Sequence, residues 1–146
     1  MAVEIMTRKD SVTYQFHHLG IPTTEVRDGE RYSERFRMYT SETSCELARV
    51  QYHRFEPGSP LHPLIQSTPH LAFKVNDLDR AVVDCEIILG PYEPIPGFRV
   101  AMVIDGGQPV EFVETDLSDD ELWARAETGT NLLYATESTA SAQSSA

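Results

Sequence analysis

Apolar and polar positions alternate over Tyr14–Ile21, with Phe16, His18 and Gly20 on one side and His17, Leu19 and Ile21 on the other, the period-two signature of a strand. The phrase His18-Leu19-Gly20-Ile21 returns as His70-Leu71-Ala72-Phe73. Each copy is followed by a second matched phrase, Val50-Gln51-Tyr52 and Val110-Glu111-Phe112. The chain therefore reads as two related halves. In the first, Glu25–Arg35 carries Gly29 and mixed charges and allows a turn of helix at most; Phe36–Thr40 and Leu47–Phe55 then alternate as half-buried antiparallel strands. Pro57, Gly58, Pro60, Pro63 and Pro69 predict a linker without regular structure over Glu56–Thr68.

In the second half, His70–Val75 reads as a strand, and Asn76 or Asp77 caps a helix whose Leu78, Ala81, Val82 and Cys85 form one apolar stripe. Gly90–Gly97 reads as a loop. Phe98–Ile104, the turn Asp105-Gly106-Gly107 and Gln108–Glu114 follow as a hairpin. Ser118 and Glu121 have the spacing of a capping box, with Leu117 and Leu122 placed as a hydrophobic staple before a short helix through Glu127. Residues 135–146 are dominated by Ser, Thr and Ala and are expected to be a disordered tail. The expected organisation is an α+β chain with a single domain over 12–121, its first module at 12–56 and its second at 68–116.

At 146 residues such a domain buries a core without disulfides. The only cysteines, Cys45 and Cys85, make neither a disulfide framework nor a zinc knuckle, which points to a reducing compartment. A net charge of −11 repels nucleic acid and anionic membranes. No stretch approaches the ~20 apolar residues of a membrane span, and Met1–Asp10 has no signal-peptide core, so a cytoplasmic location is expected.

The repeat also carries candidate chemistry. If Leu19, Ile21, Leu71 and Phe73 pack beneath helices, His18 and His70 face the other side, each with a small residue, Gly20 or Ala72, two places on. The same parity leaves Glu111 on that side in the second half, and Gln51 and His53 in the first. His18 to Gln51 spans 33 positions and His70 to Glu111 spans 41, a deficit that matches the shortened helix region of the first half. Two imidazoles, a carboxylate and a weak neutral donor suit one divalent ion (Zn, Ni, Co, Mn or Fe) with positions left open for substrate. Gln51 and His53 are alternative fourth ligands. His17 reads as structural, His62 as an exposed linker residue, and Tyr14, Tyr39, Tyr52 and Trp123 as packing residues.

Through Phe16-His17-His18-Leu19-Gly20-Ile21, His70-Leu71-Ala72-Phe73-Lys74-Val75-Asn76-Asp77-Leu78-Asp79 and Val110-Glu111-Phe112-Val113-Glu114, the chain resembles the vicinal oxygen chelate superfamily. That superfamily includes glyoxalase I, methylmalonyl-CoA epimerase, extradiol dioxygenases and bleomycin-resistance proteins. The resemblance implies two βαβββ modules, the first with an abbreviated helix, forming a curled mixed sheet around a metal cleft. Its ligand positions fall on His18, Gln51, His70 and Glu111, a set most like that of methylmalonyl-CoA epimerase. It implies a metal-dependent isomerase, epimerase or lyase acting on a small substrate with adjacent oxygens through a metal-stabilised enolate, and a homodimer. Glu111 is then ligand and base, and His53 a second acid/base candidate. Two other readings fit the residues. His18, His70 and Glu111 alone suit a ring-cleaving Fe(II) dioxygenase, and a resistance-type protein binds a small molecule without metal or catalysis.

Overall fold

The computed structural model describes residues 8–44, 47–118 and 121. Its strands are β1 (Tyr14–Pro22), β2 (Arg31–Ser33), β3 (Met38–Ser44), β4 (Arg49–Phe55), β5 (His70–Val75), β6 (Glu86–Ile95), β7 (Phe98–Asp105) and β8 (Gln108–Thr115); the helices are α1 (Pro63–Ser67) and α2 (Leu78–Ala81). All eight strands form one mixed sheet in the order β2-β3-β4-β1-β5-β8-β7-β6. Within each half the first strand lies parallel to the last, β1 to β4 and β5 to β8, and the halves join where β1 runs antiparallel to β5. The two repeated phrases thus meet at the centre of the sheet.

The sheet curls until its ends approach each other. Phe36, in the turn before β3, meets Tyr92 of edge strand β6 with ring centroids 5.7 Å apart. Phe36, Met38, Leu61, Ile65 and Met102 form the core on this inner side. The outer core consists of Val12, Val75, Leu78, Ala81, Ala101, Val103 and Phe112, with α2 laid across β7 and β8.

The short crossover helix has local causes. Asp77 caps it, its side chain accepting from the Arg80 amide at 3.1 Å. It ends after one turn: Val82 is already the C-cap, the β-branched Val83 follows, and Asp84 takes a left-handed φ of 61°. The expected stripe therefore stops short as a helix, although Val82 and Cys85 still pack against the outer core. In the first half residues 23–30 form no helix. Arg27 does part of that work, its guanidinium lying 3.8 Å from the Tyr52 ring and its Nη2 donating to Thr43 Oγ1 at 3.1 Å. With so little helix over the seam, Leu71 is 46% exposed, contrary to the packed position expected for it.

Three other expectations change. Gly90–Gly97 is not a loop: Glu86–Ile95 is a strand, tolerating Pro91 and Pro94 because it is an edge whose ladder to β7 shifts register repeatedly. The eight-residue spacing difference arises mainly here, since β6 has ten residues and its counterpart β2 only three. The linker holds α1, whose Ile65 joins Leu61 in the inner core; half-buried His62 caps it, Nδ1 accepting from the Leu64 amide at 3.0 Å. The hairpin at Asp105-Gly106-Gly107-Gln108 forms as read, both glycines having positive φ. The Ser118/Glu121 capping box is reciprocal. Leu122, Trp123, the helix through Glu127, the 135–146 tail and Cys45 lie outside the described residues. Among the described residues no helix is long and apolar enough to cross a membrane.

Candidate metal centre

His18, Ala72 and Glu111 lie side by side on β1, β5 and β8, and His70, Gly20 and Gln51 make the adjoining row on β5, β1 and β4. The small residues make room for the large ones. A Cβ on Gly20 would stand 2.1 Å from His70 Cε1, so the His70 ring occupies the space that any other side chain would fill. Ala72, fully buried, carries only a methyl group between His18 and Glu111.

Across these two rows three potential ligand atoms converge. His70 Nε2 is 3.0 Å from Glu111 Oε1, His18 Nε2 is 3.5 Å from the same oxygen, and all three groups converge within 4.8 Å. His18 and His70 are 3% and 4% exposed, and Glu111 keeps 14% of its side chain accessible. Burial acts to raise the Glu111 pKa, but the two histidines outweigh it and hold the carboxyl well below its usual 4.5.

His53 is brought in without joining the triad. Its ring stacks on His70 with centroids 5.8 Å apart and planes 16° from parallel, and its Nδ1 is 2.9 Å from Thr40 Oγ1. Burial, reinforced by His70 and His18 and partly opposed by Glu111, pushes its pKa down to about 3, so the ring is neutral. Gln51 is buried at the β4 end of the His70 row, across from Gly20.

Two partners were not legible as such. Thr40 meets His53 through the β3–β4 register, which no local motif announces. His17 sits in a β-bulge of β1, with Nδ1 2.8 Å from His18 Nδ1. The bulge also corrects the simple alternation, because Phe16 pairs with Phe73 and so faces outward, opposite to His18.

The residues fit a divalent ion. His18 Nε2 is buried and makes no hydrogen bond, although it faces a carboxylate and a second imidazole nitrogen. Two nitrogens and one oxygen are a borderline donor set with positions to spare.

No protein-family model matches the chain, and no curated protein is similar to it in sequence. Solved structures are similar in fold. A hypothetical protein of Bacillus halodurans C-125 superposes with a TM-score of 0.55 at 16% identity, over 75% of this chain and 98% of that one. Methylmalonyl-CoA epimerase of Mycobacterium tuberculosis superposes with a TM-score of 0.50 at 17% identity, over 85% of this chain and 96% of that one. The eight-stranded curled sheet, built of two halves that meet through their first strands, is a vicinal oxygen chelate-like fold, similar to these solved structures.

Proposed function

We propose that the chain is a metal-dependent isomerase, epimerase or lyase that acts on a small substrate with two adjacent oxygens. The observation that carries this reading is the convergence of His18, His70 and Glu111 on one buried point, contributed by both halves of the sheet. These three would hold a divalent ion, with Gln51 as the fourth ligand. When bound, such an ion supplies a Lewis acid that polarises adjacent substrate oxygens and lowers the cost of removing a neighbouring proton, an effect of several kcal/mol.

The remaining work falls to the chain. Glu111 stays ionised and offers a second carboxylate oxygen as a proton acceptor. His53, beside the triad and in hydrogen-bond contact with Thr40, is the weaker acid/base candidate, since its lowered pKa leaves the ring neutral and only weakly basic. Met102 of the inner core pairs with Glu111 across β7 and β8 and places apolar packing beside the site.

Elemental analysis of the purified protein beside its His70→Ala variant tests the reading. One divalent ion per chain, lost in the variant, is expected; zinc, nickel, cobalt or manganese fits proton-transfer chemistry. Iron would favour the ring-cleaving alternative, since two histidines and one carboxylate also suit non-haem Fe(II); oxygen uptake with catechols checks it. No ion in either protein, even after reconstitution, would overturn the proposal and leave a small-molecule binding protein. Glu111→Gln should abolish turnover with the fold retained; unchanged turnover would remove Glu111 as the base. A homodimer is part of the same proposal, and light scattering tests it.

A further inference from the structure

The bulge in β1 decides which way His18 points. Tyr14 faces outward, its ring 6.0 Å from that of Phe112, and Phe16 faces outward opposite Phe73. Uninterrupted alternation would send the next even residue, His18, outward as well. One extra residue between the pairs Phe16–Phe73 and His18–Ala72 resets the phase and turns His18 inward. That residue is His17.

His17 is also chemically coupled to the residue it redirects. The two Nδ1 atoms are 2.8 Å apart, a separation that places one hydrogen between them. The proposed ion takes the lone pair of His18 Nε2, the atom that faces Glu111 and His70. A neutral His18 then carries its hydrogen on Nδ1, and His17 Nδ1 accepts it. We infer that His17 is a positioning residue of the metal centre, fixing the tautomer and ring rotation of His18; this rests on the metal site proposed above.

An imidazole acceptor suits this place. A carboxylate there would add a second negative charge beside Glu111 and draw down the positive charge that the ion presents to substrate. A neutral ring orients His18 at no such cost. The other histidine is held differently: Pro69 precedes it, and its ring is fixed by packing over Gly20 and against His53. Replacement of His17 therefore removes the contact to His18 Nδ1 and none of those that hold the His70 ring.

Zinc titration of the wild type, His17→Asn and His17→Leu tests the assignment, with nitrogen-15 spectra of zinc-loaded His18 as the second readout. The amide oxygen of Asn sits where His Nδ1 does and accepts the same hydrogen; Leu accepts none. Zinc affinity about 10- to 100-fold weaker for Leu, mostly recovered with Asn, and a hydrogen-bonded Nδ1–H on His18 in the wild type that disappears with Leu are expected. Equal affinity in all three, or an Asn variant as weak as Leu, would overturn the role of His17 while leaving the metal site standing. Absence of zinc uptake by the wild type would remove the metal site, and this role with it.

Discussion

Gly20 shows how much of the site depends on the absence of atoms. A methyl at this position would stand 2.1 Å from Cε1 and 2.5 Å from Nε2 of His70, and the ring cannot simply swing aside because His53 lies stacked against it. Gly20→Ala is expected to displace the His70 ligand nitrogen, weakening zinc binding at least as much as loss of one ordered ligand contact. It should also cost about 1–3 kcal/mol of stability through overpacking. Calorimetric zinc titration and urea unfolding measure the two effects. Much at this scale was readable from the repeat: His18, His70 and Glu111 occupy matched places, and Gly20 and Ala72 are the small residues two positions on. The bulge was not, because one inserted residue leaves the local alternation looking intact and shows only in the pairing with β5.

Single elements carry more energy than their length suggests. Leu78, on a helix of four residues, is fully buried between Val75, Ala81 and Phe112. Leu78→Ala should cost about 2–5 kcal/mol in urea unfolding, a large share of the stability of a domain this size. The helix-free connection of the first half relies on charge. Glu30 accepts from Arg54 Nε and Nη2 at 2.9 and 2.8 Å, and Arg54 lies 4.0 Å from the Tyr39 ring. The Arg54 hydrogen bonds hold the Glu30 pKa below its ordinary 4.5. A lowered folded-state pKa gives stability that is present above the unfolded value and lost as pH falls through the folded one. The difference in unfolding midpoint between wild type and Glu30→Gln should therefore be small but constant near neutrality, and close as the medium is acidified below the ordinary 4.5 and through the lowered folded-state value. Sequence located the helix cap and the glycine hairpin, whose signals are local. It misjudged β6 and the linker, because prolines forbid interior strands but not edges, and because Leu61 and Ile65 gain their core partners only when the sheet curls.

At the scale of the whole molecule, the site belongs to neither half. Of the three converging groups, Glu111 and His70 come from one half and His18 from the other, across the β1–β5 ladder. An ion bound there favours the joined state by mass action, and zinc at a hundredfold excess over its dissociation constant should add about 2.7 kcal/mol to unfolding. Denaturant titrations with and without zinc measure this, and His70→Ala should abolish the difference.

The seam is a hydrogen-bonded ladder, and the segment that connects the halves is wedged into the inner core by Leu61 and Ile65. Both links between the halves are therefore tied down by hydrogen bonds or apolar packing. Enzymes whose lobes swing together choose substrates partly by what they can clamp; a cup walled by continuous strands discriminates by its standing contour. If the proposed chemistry holds, new preferences in this scaffold would come from exchanging residues beside the triad, such as Met102, which pairs with Glu111, and not from retuning a motion.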